Sequence, residues 1–308
     1  MVEHVTFDGA DRLLDWLELT DAIENGHAFA RAKIGDQLLW QRDATLLSRA
    51  AWVDGLGSAV KTAFVVPSNT ARNLPTTNGA VTLFDDQTGE LTALMDFGLV
   101  TKWKTAGDSL LAARKLARPD SSRILIIGAG TVARSMVEAY SAGFPQAEFE
   151  VWNRTPGNTE ALIADYRDRA VINIAADLQK AVRNADIVTC ATMAVEPILR
   201  GEWLSAGTHL DLIGAYRPDM READDEALRR SRIFVDSRDT TLDHIGELKI
   251  PLQNGVIEPA DIIADFYDLG TGSFRRTDAD SITLFKNGGG AHLDLMTAIH
   301  ILGKWKAC

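Results

Sequence analysis

The chain has 308 residues and a formal net charge of −11, and 46% of its residues are hydrophobic. This length predicts two domains, and the negative charge argues against nucleic acid or an anionic membrane surface as a partner. No run of about 18 apolar residues, the length of a membrane span, is present. The first residues lack the basic and apolar regions of a signal peptide, so we expect a cytoplasmic α/β protein. The six histidines show no metal-ligand spacing, so we expect no metal site.

The N-terminal part of the chain mixes helical and strand patterns. Apolar spacing predicts helices near residues 10–17 and 20–32, and a further helix from about Val100 to Leu116. An α+β domain is therefore predicted over residues 1–117. Turn residues separate four predicted strands, at residues 37–41, 58–67, 80–85 and 92–96.

A short apolar strand in the middle of the chain leads into a glycine turn and then a helix. The spacing Gly128-x-Gly130-x-x-Ala133 matches the dinucleotide fingerprint, in which the glycines allow a tight turn and close approach of a pyrophosphate. The small Ala133 allows the helix to pack closely on the strand. Thr131 and Val132 begin the helix, whose free N–H groups can bind phosphate. Such turns also occur without a ligand, but the flanking strand and helix favour a dinucleotide site.

The end of the next strand, near residues 149–152, indicates which dinucleotide binds. It is followed by Asn153, Arg154 and Thr155. Sites for NAD usually carry an Asp or Glu here, whereas a 2′-phosphate requires a cation and no carboxylate. The sequence therefore favours NADP(H) over NAD(H), with an ordinary solvated turn as the alternative.

Helices and strands continue to alternate downstream, which predicts a Rossmann-type doubly wound parallel sheet over residues 118–280. Thr192, Gly214 and Ala215 lie at the carboxyl ends of two of its strands, where such a sheet holds the nicotinamide half of the cofactor. Residues 281–308 combine a strand, a glycine turn and an apolar helix, and we expect them to pack back against the N-terminal domain. The other predicted elements are helices at 158–168 and 178–184 and strands at 170–174, 186–192, 209–214 and 233–235.

Lys61 is the most unusual polar residue of the N-terminal part. It lies in an alternating-to-apolar strand pattern at residues 57–66. A buried lysine is costly unless it is paired or neutral, and its pKa is easily lowered toward neutrality. Lys61 is therefore a candidate catalytic residue, with a lysine at a solvated strand edge as the alternative.

A series of motifs runs in order along the chain, at residues 59–61, 67–69, 83–85, 93–96, 104–106, the glycine turn, 185–188, 196–199, 201–203, 214–222, 235–237 and 282–286. Together these motifs resemble the ornithine cyclodeaminase/μ-crystallin family. The resemblance implies an oxidoreductase that uses NAD(P)H, and a homodimer joined through the N-terminal domain. The short N-terminal strands, whose edges need covering, agree with such a dimer.

The position that follows Gly214 and Ala215 separates the activities of the family. Cyclodeaminases carry an Asp there, and this chain carries Tyr216, as in the ketimine reductase variant. A phenol cannot replace a carboxylate as a base at neutral pH. The resemblance thus implies reduction of Δ1-pyrroline-2-carboxylate to L-proline or of Δ1-piperideine-2-carboxylate to L-pipecolate, with Tyr216 beside the cofactor. Ornithine cyclodeaminase, an alanine or iminosuccinate-type dehydrogenase, and a non-catalytic NADPH-binding protein are the alternatives.

The resemblance also implies roles on the substrate side. Lys61 matches the family lysine that contacts substrate and transfers a proton. Lys104 stands where the family has an arginine that binds the substrate carboxylate, and Arg49 and Arg31 are further candidates for that role. His292 replaces an apolar residue near the active site, with a packing or capping histidine as the alternative.

Overall fold

The computed structural model describes residues 1–308, which divide into two compact units. The N-terminal unit comprises residues 1–104 and 290–308, and the central unit comprises residues 105–289. Each unit contains one β-sheet. None of the helices combines the length and the apolar character needed to cross a membrane.

The N-terminal unit is built on a six-stranded sheet with the order β1-β6-β5-β4-β3-β2. Strands β2 to β6 form an antiparallel meander, and β1 adds a parallel pairing to β6. The strands are β1 (Glu3–Val5), β2 (Lys33–Gln41), β3 (Ala44–Val53), β4 (Gly57–Val65), β5 (Thr77–Phe84) and β6 (Leu91–Asp96).

The central unit contains an eight-stranded, wholly parallel sheet with the order β13-β12-β14-β11-β10-β7-β8-β9. The five strands from β9 to β11 follow the 3-2-1-4-5 order of a Rossmann fold, so the predicted fold class is confirmed. The strands are β7 (Arg123–Ile127), β8 (Glu148–Trp152), β9 (Ile172–Ile174), β10 (Ile187–Cys190), β11 (His209–Leu212), β12 (Ser231–Val235), β13 (Ile262–Ala264) and β14 (Ile282–Lys286).

Ten α-helices accompany the two sheets. In the N-terminal unit, α10 packs on β3, β4 and α2, which places its buried apolar face on one side of the six-stranded sheet. The helices are α1 (Phe7–Ala10), α2 (Trp16–Gly26), α3 (Phe97–Leu116), α4 (Thr131–Gly143), α5 (Pro156–Tyr166), α6 (Leu178–Asn184), α7 (Asp225–Arg230), α8 (Arg238–Thr241), α9 (Gly246–Gln253) and α10 (Ala291–Lys306).

The N-terminal elements differ from those predicted in their helix bounds and in the number of strands. The helix predicted over residues 20–32 ends at Gly26. The helix predicted over residues 10–17 is interrupted, because the Asp15 carboxylate accepts hydrogen bonds from the N–H groups of Leu17 and Glu18 and so starts α2. Strand β3 was not predicted, since its sequence lacks a clear alternation of apolar and polar residues.

The unit boundaries also differ from the predicted domain boundaries at residues 117 and 281. The first division falls inside α3, between Lys104 and Thr105. Because this helix is continuous, the sequence contains no linker that marks the boundary. Strand β14 pairs with both β11 and β12 and belongs to the central sheet. Only residues 290–308 join the N-terminal unit.

Candidate functional site

The glycine turn after β7 has the geometry that its sequence predicts. Gly128 adopts a φ of +116°, which strongly favours glycine, and its N–H donates to the Trp152 carbonyl at 2.8 Å. A Cβ at Gly128 would lie 2.5 Å from the Ala191 carbonyl oxygen. This position therefore requires glycine for two independent reasons.

The N-terminus of α4 is arranged to receive an anion. Gly130 precedes the helix and no side chain caps it, so N–H groups of the first turn, which begins with Thr131 and Val132, remain available. A Cβ at Gly130 would meet no atom within 4 Å, which leaves space for a pyrophosphate. Ala133 is fully buried. These residues fit the phosphates of a dinucleotide.

Arg134 supports this turn and was missed by the sequence analysis. Its Nη1 donates to the Ala129 carbonyl at 2.9 Å, and its Nε donates to Asp165 at 2.8 Å. The guanidinium thus links the turn to α5. The fingerprint leaves this position unspecified, so no pattern in the sequence indicated the role.

The residues after β8 form a polar turn at the start of α5. The Asn153 amide donates to the Thr155 carbonyl at 2.9 Å, and Arg154 is exposed. Thr155 precedes α5, which begins at Pro156 and has no side-chain cap. A cation beside a free helix N-terminus, without a carboxylate in the turn, suits a phosphate, but the preference for NADP(H) stays a prediction.

Thr192, Gly214 and Ala215 lie just beyond the carboxyl ends of the neighbouring strands β10 and β11. In the sheet, β7 has β8 on one side and β10 on the other, so the order in which strands are added reverses at β7. Such a switch point is where doubly wound sheets bind nucleotides. The structure therefore brings together three residues that the sequence placed on the nicotinamide side.

Tyr216 is 58% exposed and lies beside Arg217, whose guanidinium is 5.8 Å from the centre of the phenol ring. Arg217 also binds Asp219 through two hydrogen bonds of 2.9 Å. Arg217 thus neutralises the Asp219 carboxylate at the surface. Tyr216 itself provides a phenol and no carboxylate.

Lys61 lies in the N-terminal unit, on the face of β4 that α10 covers. It is 7% exposed, and its Nζ lies 2.9 Å from Oδ1 of Asp294 and 4.8 Å from the centre of the Phe97 ring. Lys61 is therefore a buried, ion-paired lysine, and the alternative of a solvated strand edge is wrong.

The surroundings of Lys61 adjust its proton affinity. Burial lowers the pKa of Lys61, the Asp294 carboxylate raises it, and the cations of Lys104 and Arg49 lower it again, to a value of about 8. A lysine with this pKa can both hold and release a proton near neutral pH.

The other cationic candidates lie in the same unit. Arg49 on β3 is directly opposite Lys61 on β4, and its Nε and Nη2 donate to Asp36 at 3.0 and 2.8 Å. Lys104 on α3 is buried. Arg31 is exposed in the segment between α2 and β2.

His292 is fully buried near the start of α10, where its ring meets the ring of His27 edge-on at 5.2 Å. Burial, then His27, then the cations of Lys104, Arg49 and Arg31 hold the pKa of His292 well below its usual value. His292 is therefore neutral at physiological pH. Its role at the site stays a prediction.

Asp294 was missed by the sequence analysis, although it is the partner of Lys61. Its Oδ2 is buried and has no hydrogen-bond partner, so one carboxylate oxygen stays free beside the Lys61 pair. Burial raises the pKa of Asp294, but Lys61 and Lys104 outweigh that effect and lower it. The sequence does contain one indication of this role: Asp294 lies in an apolar helix, and an Asp buried there rarely lacks a cationic partner.

Known proteins resemble the chain over nearly its whole length. It is 48% identical to Delta(1)-pyrroline-2-carboxylate reductase of Paracoccus denitrificans, over 97% of this chain and 96% of that protein. The structure of Thermococcus litoralis Delta(1)-pyrroline-2-carboxylate reductase in complex with NADH and L-proline superposes with a TM-score of 0.88 at 29% identity, covering 99% of this chain and 97% of that one. An archaeal alanine dehydrogenase dimer with bound NAD has a TM-score of 0.90 at 26% identity, covering 99% and 96%.

The sequence profile of the ornithine cyclodeaminase/mu-crystallin family matches residues 53–308. This range includes Lys61, Asp294 and the glycine turn. The resemblance inferred from the motifs is thereby confirmed: the chain belongs to the ornithine cyclodeaminase/mu-crystallin family.

Proposed function

We propose that this protein reduces a cyclic α-imino acid with NAD(P)H, and that its substrate is Δ1-pyrroline-2-carboxylate, which becomes L-proline. The buried pair of Lys61 and Asp294 carries the proposal, because it provides an ammonium group at a site rich in cations. The 48% identity to a Delta(1)-pyrroline-2-carboxylate reductase over nearly the whole chain supports it.

The reaction requires a hydride, a proton on the imine nitrogen and a cationic contact for the carboxylate. A bound reduced nicotinamide supplies the hydride. Lys61 donates the proton to the imine nitrogen, because an iminium accepts a hydride far more readily than a neutral imine. Lys61 is then a neutral amine until it takes a proton from water, and Asp294 remains a carboxylate throughout.

Lys104 and Arg49 are the proposed contacts of the substrate carboxylate. Both place positive charge close enough to Lys61 to lower its pKa, so both lie near the reacting group. Lys104 is a point charge without the planar fork of an arginine. Arg49 has its fork partly engaged by Asp36, which fixes the guanidinium in position.

The proposed cofactor is NADP(H), held with its pyrophosphate at the glycine turn and its 2′-phosphate at Arg154. The free N-terminus of α5 beside Arg154 supports this assignment. The proposed nicotinamide contacts are Thr192, Gly214, Ala215 and Tyr216.

A substrate panel tests the proposal. The purified protein should oxidise NADPH with Δ1-pyrroline-2-carboxylate, and more slowly with pyruvate or oxaloacetate plus ammonia. L-Ornithine should release no ammonia, because Tyr216 supplies no carboxylate and Asp219 is bound to Arg217. Ammonia release from ornithine with catalytic NAD would instead assign the protein to the cyclodeaminases.

We also propose a homodimer joined through the sheet of the N-terminal unit. Helix α10 covers one face of this sheet, and the other face carries apolar side chains, of which Trp52 and Phe64 are 54% and 46% exposed. A second copy of the same face would bury them.

Light scattering at micromolar concentration tests the dimer, which should have about twice the 33.6 kDa mass of the chain. Phe64→Asp should yield monomers, whereas Val171→Asp, at an exposed apolar residue of the central unit, should leave the dimer intact. A monomeric wild-type protein would contradict this assembly.

A further inference from the structure

Glu222 is a buried carboxylate in the loop between β11 and α7, outside every role assigned so far. It is 1% exposed. Its Oε1 accepts hydrogen bonds from both the N–H and the hydroxyl of Thr192 at 2.8 Å. Its Oε2 accepts from the N–H groups of Gly214 at 2.7 Å and Ala215 at 3.4 Å. One side chain thus joins the loops that follow β10 and β11.

The backbone leaves room for this carboxylate only because residue 214 is glycine. A Cβ at Gly214 would lie 2.6 Å from Oε1 of Glu222 and 1.9 Å from the Thr192 carbonyl oxygen. Gly214 therefore serves the packing of the two loops around Glu222, in addition to any contact with a cofactor.

The backbone at Glu222 is fixed by further buried charged residues. Its N–H and that of Ala223 donate to the buried Glu247 carboxylate at 2.7 and 3.1 Å. The ammonium of Lys286, also buried, donates to the carbonyls of Leu212 and Asn287 at 2.9 and 2.7 Å. The backbone that carries Glu222 is thus fixed by a second carboxylate, and one buried cation interacts with both carboxylates.

The hydrogen bonds around Glu222 favour its ionised form. Burial, followed by repulsion from Glu247, nevertheless raises the pKa of Glu222 to about 8, because Lys286 and the donors of Thr192 only partly offset these effects. Three of the four donors are backbone N–H groups, which cannot accept a carboxyl proton, and each oxygen of Glu222 accepts from at least one of them. A charge that receives four donors holds them more tightly than a neutral group of the same shape.

We propose that Glu222 is a positioning residue, which sets the spacing of the Thr192 and Gly214–Ala215 loops so that they can bind the nicotinamide end of the cofactor. This inference rests on the proposed function, since those loops are the proposed nicotinamide contacts. Glu222 acts through Thr192, Gly214 and Ala215 and does not itself contact substrate or cofactor.

The Kd values of two ligands distinguish a positioning role of Glu222 from a general contribution to the stability of the fold. NADPH engages both ends of the cofactor site, whereas 2′-phospho-ADP-ribose engages only the adenosine and pyrophosphate end. Glu222→Gln places an amide N–H₂ against donor groups and should raise the Kd for NADPH about 10- to 100-fold, measured by nucleotide fluorescence on the otherwise unliganded protein. The Kd for 2′-phospho-ADP-ribose should change by less than about threefold, since the glycine turn and Arg154 are untouched.

Two further variants complete the experiment. Glu222→Asp keeps the charge but shortens the reach, and should give an intermediate Kd for NADPH. Asp211→Asn is the matched control, since Asp211 is equally buried and accepts from Thr189, Ser109 and Tyr140 without touching the loops. It should lower Tm and leave both Kd values unchanged.

Equal weakening of both ligands in Glu222→Gln would show a merely structural role and overturn the inference, as would unchanged NADPH binding. If Glu222→Gln does not fold, Glu222→Asp decides by the same two Kd values. Wild-type protein that binds neither NADPH nor NADH would instead overturn the proposed function.

Discussion

The two units of the molecule form their candidate sites in opposite ways. In the central unit, the candidate phosphate-binding elements come mainly from one contiguous stretch of chain, from the end of β7 to the start of α4, and offer backbone groups. In the N-terminal unit, Lys61 and Asp294 are 233 residues apart in sequence, and the proposed function depends on charged side chains. A backbone site requires particular glycines, whereas a side-chain site requires buried charges that balance each other.

The difference predicts separable effects of substitution. Changes in the N-terminal unit should alter proton transfer and leave cofactor binding unchanged, and changes in the central unit should do the reverse. The following three substitutions test this separation.

The largest effect is expected for Lys61→Ala. Loss of the proton donor should lower turnover about 10²- to 10⁴-fold, while the Kd for NADPH stays unchanged. Steady-state kinetics and nucleotide fluorescence measure the two quantities. Lys102→Ala is the matched control, because it removes another lysine of this unit that is paired with an aspartate, Asp11. Turnover of Lys61→Ala within tenfold of wild type would remove Lys61 from the chemistry.

Arg154→Ala should have a smaller effect, confined to the central unit. The KM for NADPH should rise at least about tenfold, the usual contribution of a hydrogen bond between charged groups, with little change in the KM for NADH. Arg167→Ala, an exposed arginine at the end of α5, should leave both values unchanged. Equal changes for the two cofactors would show that Arg154 does not recognise the 2′-phosphate.

Asp294→Asn should change the pH profile of the reduction. The pKa of Lys61 is about 8, so kcat/KM for the imine should fall as pH rises through 8 and the ammonium loses its proton. The Asp294 carboxylate raises this pKa. Removing its charge should therefore move the decline to lower pH, by about 1 unit or more. Asp11→Asn, the partner of Lys102, serves as control, and superimposable profiles would contradict the proposed coupling.

The cofactor side of the protein was largely predictable from sequence. Gly128, Gly130 and Ala133 lie within six residues of one another, so local sterics alone determine the turn. The alternation of helices and strands predicted the parallel sheet for the same reason, since each element depends on its own apolar pattern.

The substrate side was predictable only in part. The sequence indicates Lys61 because a lysine is unusual in an apolar strand, but it does not show which carboxylate pairs with this lysine. Tertiary structure decided that by packing α10 on β4, which brings Asp294 to within 2.9 Å of Lys61. Glu222 likewise belongs to the family motif at residues 214–222, and only the folded chain shows that it joins two loops. Local backbone conformation depends on neighbouring residues and can be predicted from them, whereas the partner of a buried charge depends on which distant segments pack together.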